Sequence, residues 1–306
     1  MTPACFVIVL NYNGRQLGLL DDCFGSLLQT DYPNAHYLLV DNGSTDDSVN
    51  YVRQNYPSVS ILLHEQNLGF AEGNNWGIQY SLDQGADYII LLNNDTRVDV
   101  DWLARLVEVA EQNQNIGLCE SQQHTWDGRG LIQHNLKPEW MEGVMSIEPL
   151  PASPGAPHPT AYAAGCCMLI RRSVVERIGM FDARYFAYDE DVDFSFRAWI
   201  AGFDVYKVPS SIVYHKGGVT LPTIQQMRLG YKNQLYTLLK DCEITTLRRF
   251  SRSILKRWVF TRNRYALQGL LAMFRSFGTT IRIRREVQTL RVRADEEIFY
   301  LSGLKK

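Results

Sequence analysis

"YIILLNNDT", residues 88–96, is an unbroken apolar run that stops at two asparagines and an aspartate. Five apolar residues with no polar alternation are what a strand shows when both of its faces are covered. The same pattern occurs three times upstream. "CFVIVL" (5–10) ends in "NYNG", "YLLV" (37–40) in "DNGSTDD", and "SILL" (60–63) in "HEQNLGF". Longer stretches with helical periodicity separate these runs. Strands alternating with helices predict an α/β fold, a mostly parallel sheet flanked by helices. In such sheets ligands bind beyond the carboxyl ends of the strands, so the polar segments are where a site would be assembled.

Further along, the pattern is irregular, and "EPLPASPGAPHPT" (148–160) is rich enough in Pro and Ala to predict a loop or mobile flap. Order returns with the strand-like "AYAAGCCMLIRR" (161–172) and the helical "SVVERIGMF" (173–181). Two short strands follow, "DVYKV" (204–208) and "SIVYH" (211–215), and beyond Pro222 the pattern is helical. The expected division is an α/β body over 1–220, which would carry any site at its strand ends, and a helical, basic extension over 221–306. No internal repeat is visible.

The 306 residues are 45% apolar with a formal net charge of -2, enough for a sizeable core. The charge is unevenly spread: residues 248–293 are basic almost without interruption, Glu286 being their only acid. Six cysteines (Cys5, Cys23, Cys119, Cys166, Cys167, Cys242) show no C-x-x-C spacing and read as reduced core thiols of a cytoplasmic protein. "MTPACFVIVLNYNG" lacks the basic stretch of an export signal, and no run of eighteen apolar residues predicts a spanning helix. The expected location is cytoplasmic, with any membrane contact peripheral and from the inner face.

Four constellations carry polar chemistry at strand ends. Asp41 follows "YLLV", where a carboxylate can accept hydrogen bonds from a base or ribose. Asp95 stands beside Asn93 and Asn94, and a single well-placed Asp can anchor a divalent metal diphosphate. "NLGFAEGNNWG" sets Asn67, Asn74 and Asn75 among Gly69, Gly73 and Gly77, amides and bare backbone suited to a sugar or phosphate. His215, before two glycines, becomes a metal-side candidate if it faces Asp95. Each also matches ordinary turn or capping chemistry. The first turn, "NYNGRQLG", has no G-x-G-x-x-G, and a P-loop is absent.

The fifth is "YFAYDEDVDFSFRAWIAGF" (185–203), which crowds Asp189, Glu190, Asp191 and Asp193 between aromatics. On a helical wheel Val192, Phe196, Trp199 and Ile200 share a face and Gly202 is a stop, so the acids occupy the first turn, where the helix dipole favours ionisation. Asp193 precedes Arg197 by four residues, the spacing of an ion pair, and Glu190 projects toward that side. Asp191 points elsewhere. A general base must be ionised and unencumbered, which singles out Asp191. A solvated helix start is the plain alternative.

Taken in order, "VIVLNYNG", "LLVDNGSTD", "NLGFAEGNN", "LLNNDT", "GCCMLIRRSVVERIGMFDARYFAYDEDVDFSFRAWIAGF" and "VYHKGG" resemble a family 2 glycosyltransferase of the GT-A type, and within it the rhamnosyltransferase-like branch. The resemblance spans roughly the first 220 residues. It implies a Rossmann-like mixed sheet and an inverting transfer from a nucleotide-diphosphate sugar, dTDP-rhamnose or a UDP-hexose, to a glycan or lipid-linked acceptor. By position, Asn11, Asn13, Asp41, Asn67, Gly69, Asn74 and Asn94 would bind the nucleotide sugar. Asp95 with His215 would hold Mg²⁺ or Mn²⁺, Asp191 would be the base, and Glu190, Asp193 and Arg197 would lie on the acceptor side or support it. Two departures stand out: Asn93-Asn94-Asp95 replaces the D-x-D of many relatives, and Asn74 stands where many carry Arg. Lys216, Lys232 and Asn233 are then candidates for the phosphate contact.

The tail, with "RRFSRSILKRWVF" and "LLAMFRSFG", sets Trp258, Phe260, Phe274 and Phe277 among arginines. That composition suits an anionic membrane surface and, equally, packing against the body or a second copy in a homo-oligomer. No nucleic-acid motif accompanies the charge. A non-catalytic nucleotide-sugar sensor on the same fold would bind donor without turnover. A sugar nucleotidyltransferase would need a basic Gly-rich loop after the first strand, where this chain has only Arg15.

Overall fold

The computed structural model describes residues 2–139, 141–217, 223–256 and 264–305. Four strands, β1 (Cys5–Asn11), β2 (Ala35–Asn42), β3 (Ser60–His64) and β4 (Tyr88–Asn93), form a parallel half-sheet in the order β3-β2-β1-β4. Helices α1 (Leu20–Leu27), α2 (Ser48–Asn55) and α3 (Gly69–Asp83) connect them. The apolar runs are continuous because both faces are buried: Cys5, Val7 and Val9 join Phe24 and Val52 on one side, while Phe6 and Ile8 join Ala71 and Ile78 on the other. The connection β1 to β2 leaves in one direction and β3 to β4 returns past β1. The carboxyl ends of β1 and β4 therefore flank a switch point, the place where such sheets open a crevice.

The second half departs from the sequence expectation. After β5 (Thr96–Val98) and α4 (Trp102–Gln112), the supposedly irregular middle holds three strands, β6 (Ile116–Thr125), β7 (Gly130–Lys137) and β8 (Glu142–Pro149), paired as an antiparallel meander. Their pattern is hidden because β6 buries polar residues, Glu120, Ser121, Gln122 and Gln123. The Pro-rich segment is not loop throughout: Glu148 and Pro149 end β8, and β9 (His158–Pro159) pairs with Tyr206 and Lys207.

Next come β10 (Cys167–Arg171), antiparallel to both β4 and β6, then α5 (Arg172–Ile178), a 3-10 turn (Ala183–Tyr185) and α6 (Glu190–Ile200). The two short strands expected after α6 are one, β11 (Asp204–His215), parallel to β6 with its register shifted between Val208 and Ile212. Pro209 lacks an N–H for the ladder, so the chain bulges there and resumes pairing, which mimics a strand break in sequence. Among the described residues all eleven strands belong to one mixed sheet.

Beyond residue 222 lie α7 (Thr223–Asp241), α8 (Ile244–Leu255), α9 (Arg264–Thr289) and α10 (Asp295–Leu301). They are not a detached appendage: Leu238, Cys242, Val287, Ile298 and Phe299 are buried in the same core cluster as α6. Phe299 faces Phe196 with ring centroids 6.2 Å apart. Trp258 and Phe260 lie outside the described residues, as does the side chain of Phe274, while Phe277 is half-exposed. Among the described residues no helix is long and apolar enough to cross a membrane. All six cysteines are free and buried, and burial pushes the thiols of Cys5, Cys23, Cys119 and Cys167 up to about 12.

Candidate active site

A cavity of about 330 Å³ opens at the switch point between β1 and β4. Its lining includes Asn11, Asn42, Asn67, Gly69, Asn94 and Asp95 from the strand ends, with Glu190 and Asp191 from α6 and His134 from β7. A larger, shallower depression of about 460 Å³ on α9, around Arg284 and Arg285, has no carboxylate in its lining.

One side is a lattice of amides. Asn94 Nδ2 donates to Asn11 Oδ1 at 2.9 Å, and Asn11 Nδ2 donates to Asp41 Oδ2 and Ser44 Oγ, each at 3.1 Å. Asp41 is buried behind Asn11, and its other oxygen accepts from Ser44 N at 2.9 Å. Asn13, at φ 55°, accepts from Thr45 N at 2.8 Å and ties the first polar segment to the second. Asn42, which sequence reasoning passed over, donates to Asn67 Oδ1 at 3.1 Å and Gly69 O at 3.0 Å.

Asn74 and Asn75 are not part of an open glycine loop. Both are buried in α3, where Asn74 donates to Phe70 O at 3.0 Å and Asn75 to Phe181 O at 2.9 Å. Gly73 and Gly77 serve close packing on the sheet, since a Cβ there would meet Leu10 at 2.7 Å and Ile8 at 2.8 Å. Gly69 is different: it takes φ 81°, and a Cβ would lie 2.4 Å from the carbonyl oxygen of Phe186.

The condition set for His215 is met. Its Nε2 lies 3.2 Å from Asp95 Oδ1, and Gly217 N donates to Asp95 Oδ2 at 3.2 Å. Burial opposes ionisation of Asp95, but the hydrogen bond and charge of His215 outweigh it and hold the carboxyl below its usual range. The ring is oriented from behind. Gln123 Oε1 accepts from His215 Nδ1 at 3.2 Å and from His134 Nε2 at 3.1 Å, and Gln123 Nε2 donates to Glu120 Oε1 at 3.3 Å. Glu120 is paired in turn with buried Lys207 at 3.1 Å. Gln123 thus fixes the ring with Nε2 turned to Asp95, and a cation bound there would have to displace the Nε2 proton that Asp95 accepts. Among the described residues no group of three or more His, Cys, Asp or Glu could hold a metal ion. Lys216 instead pairs with Asp22 at 3.0 Å, and Lys232 donates to Arg184 O at 2.7 Å. Asn233 Nδ2 is surrounded by backbone carbonyls.

The acids of α6 separate as the wheel suggests, with one correction. Asp193 is fully buried, meets Arg197 Nε at 3.0 Å and Lys240 Nζ, and accepts from the Tyr185 hydroxyl at 3.2 Å. Burial works against its charge, yet Arg197 and Lys240 prevail and hold the carboxyl at about 2. Glu190 does not join that pair: it lines the cavity, and its Oε2 has no hydrogen-bond partner among the described residues. Burial, then the charge of Asp191, push it well above the usual carboxylate range. The wheel errs because a residue in the first helical turn points by its local backbone, and Asp189 just before it is left-handed at φ 64°. Among the described residues Asp191 has no cation in contact, but it is not unencumbered: it accepts from Gly165 N at 3.0 Å and Val192 N at 2.8 Å. Burial raises its carboxyl, against the pull of the Gly165 hydrogen bond and of His134.

The crevice at the switch point of this mixed sheet, with its amide lattice, Asp–His pair and buried carboxylate, sits on a fold that solved GT-A glycosyltransferases share. The chain aligns over 99% of its length with 57% of GalNAc-T7, solved with UDP, GalNAc and Mn²⁺, at TM-score 0.70 and 15% identity. It aligns over 100% with 87% of a Pyrobaculum calidifontis mannosyltransferase solved with GDP-Man and Mn²⁺, at TM-score 0.60 and 14% identity. At those identities the likeness is one of fold. The chain belongs to glycosyl transferase family 2, whose model matches residues 6–179 and so contains Asp41 and Asp95 but stops short of Asp191 and His215. It is 31% identical over 227 residues to an N-acetylglucosaminyl-diphospho-decaprenol L-rhamnosyltransferase of Mycobacterium tuberculosis, covering 67% of this chain and 74% of the relative. A dTDP-rhamnosyl transferase of Shigella flexneri is 20% identical over 263 residues, 81% of this chain and 83% of the relative. This is therefore a glycosyltransferase of the rhamnosyltransferase-like kind.

Proposed function

We propose that this enzyme transfers a sugar, rhamnose foremost, from a nucleoside-diphosphate donor to a hydroxyl of a glycan or lipid-linked acceptor in cell-surface polysaccharide synthesis, with inversion at the anomeric carbon. The observation that carries it is one cavity lined both by Asp95, paired with His215, and by Asp191, a carboxylate that no cation among the described residues contacts. Asp191 takes the proton of the acceptor hydroxyl as that oxygen attacks the anomeric carbon. The glycosidic bond forms on one face while the bond to the diphosphate oxygen breaks on the other, and the nucleoside diphosphate departs with the electron pair. The amides of Asn11, Asn67 and Asn94 line the space for the donor. Asp95 and His215 offer an oxygen and an imidazole, which fit Mg²⁺ or Mn²⁺ sharing its shell with water and diphosphate. When bound there, the cation would stabilise charge on the leaving group.

The test is a panel of nucleotide sugars with and without Mg²⁺ or Mn²⁺, read by thermal shift and slow donor hydrolysis. dTDP-rhamnose with metal is expected to give the largest shift, and Asp95→Ala to lower metal-dependent donor affinity roughly 10- to 100-fold. Equal shifts for every sugar, or a metal effect that survives Asp95→Ala, would sink this donor-site assignment.

We assign residues 221–306 to contacts with the acceptor, the inner membrane surface or a second subunit. α8 exposes Arg248, Arg249 and Arg252, and Leu271 and Phe277 of α9 are half-exposed. At ~1 kcal/mol per basic residue near an anionic surface, Arg248→Ala with Arg252→Ala should lower partitioning onto phosphatidylglycerol vesicles about tenfold or more. Absence of cosedimentation at low salt would rule the contact out.

A further inference from the structure

Between the 3-10 turn and α6 the backbone follows a path that L-residues rarely take. Phe186 (φ 63°), Tyr188 (φ 69°) and Asp189 (φ 64°) all sit at positive φ within residues 186–189. None is the glycine that accepts this conformation without steric cost. Such a run persists only where its surroundings over-determine it. Phe186 and Tyr188 line the cavity, and Asp189 leads directly into the turn of α6 that carries Asp191.

Two neighbours hold the path. From α3, the N–H groups of Phe70 and Ala71 donate to the Phe186 carbonyl at 2.6 and 3.2 Å. From α7, buried Asn233 inserts its amide among three carbonyls, with Nδ2 at 3.2 Å from Tyr185 O, 3.0 Å from Ala187 O and 2.6 Å from Tyr188 O. An NH₂ group supplies two protons from one small atom, which neither a hydroxyl nor a carboxylate can match. The seat is rigid: Thr237 Oγ1 donates to Asn233 O at 3.0 Å and lies 2.6 Å from the buried Tyr185 hydroxyl.

We propose that Asn233 is a positioning residue for sugar transfer. Its amide holds residues 185–189 in the left-handed path that builds the aromatic wall of the cavity, and thereby aims Asp191. The inference rests on Asp191 being the base, as proposed above. Helix α7 then serves the reaction without touching substrate, and the Asn233 amide acts on the backbone of the chain rather than on a phosphate.

Asn233→Asp keeps the shape and sets acceptor oxygens against three carbonyls. A misplacement of the base by about 1 Å costs on the order of 10²-fold, so kcat should fall by roughly that factor while the donor Kd from calorimetry stays within about threefold. Hydrogen exchange at the amides of Phe70 and Ala71 should accelerate, because both donate to the segment that is released. In an Asn233→Ala background, Asp189→Gly removes one positive-φ cost and should recover kcat about fivefold relative to Asn233→Ala alone. Asp189→Gly in the otherwise unaltered chain serves as the reference. A kcat within about threefold of the unaltered enzyme, unchanged exchange at Phe70 and Ala71, or no recovery by glycine would each overturn the proposal. Exchange and donor binding are read without turnover. Released amides with undiminished kcat therefore overturn the role of Asn233 alone, whereas undiminished transfer in Asp191→Asn removes the base on which it rests.

Discussion

Asp191→Asn is expected to lower kcat by roughly 10²- to 10⁴-fold, the contribution of a positioned general base, with donor affinity nearly unchanged. The side chain is aimed by Gly165 N and Val192 N, and an amide of the same size keeps one of those bonds while losing basicity. Because the carboxyl is raised by burial and must be ionised to act, the acid limb of kcat/KM should lie above the ordinary Asp value of 3.8. Activity then falls as pH drops through that raised pKa and is retained above it. Stopped assays from acid to neutral pH, beside donor titrations of the variant, check both. Turnover within threefold of the unaltered enzyme, or an acid limb at or below the ordinary value, would falsify the assignment of the base.

The largest stability effect is expected at Arg197→Met. The guanidinium is buried, with Nε on Asp193 and its other nitrogens donating to Ile178 O at 2.8 Å and Met180 O at 2.9 Å. Removing it strands two carbonyls and leaves Asp193 with Lys240 as its only cation among the described residues, a loss of about 3–5 kcal/mol in urea unfolding. The sign of the pH dependence follows from the depressed carboxyl. Held at about 2 in the fold against an ordinary 3.8, Asp193 contributes stability above the ordinary value, and that contribution disappears as pH falls through about 2. The variant should show a shallower acid transition. Adding Asp193→Asn should restore part of the loss, since Lys240 is shared with Asp182 and cannot by itself compensate two carboxylates. A change under about 1 kcal/mol would mean that the pair contributes nothing to the fold.

Sequence alone carried the parallel half-sheet because its strands are buried on both faces, which leaves apolar runs such as Ile89 to Leu92 bounded by turn residues. It failed over β6, where Glu120 and Gln123 are buried in mutual pairing and look like surface polarity when read in one dimension. It split β11 because Pro209 and two serines imitate a turn. In the site, the Asp193–Arg197 pair was legible from helical spacing, which is a local property. The second cation, Lys240, and the backbone grip of Asn233 lie a helix away in sequence and leave no periodic trace. His215 beside Asp95 was conditional on two strand ends meeting, which the antiparallel pairing of β11 with β5 brings about.

The packing of α6 against α7 and α10 has a consequence for synthesis. Translation proceeds from the amino end, and early segments tend to fold as they emerge. The parallel strands can pair while α6 is still being made, but α6 then waits, with Phe196 lacking Phe299 above it and Asp193 lacking Lys240. During that interval the nascent chain shows an apolar face and a half-neutralised charge, the kind of surface that chaperones bind. Helix α6 is therefore packed on all sides only once α7 and α10 have emerged, so its ordering comes late in synthesis although its residues are made earlier.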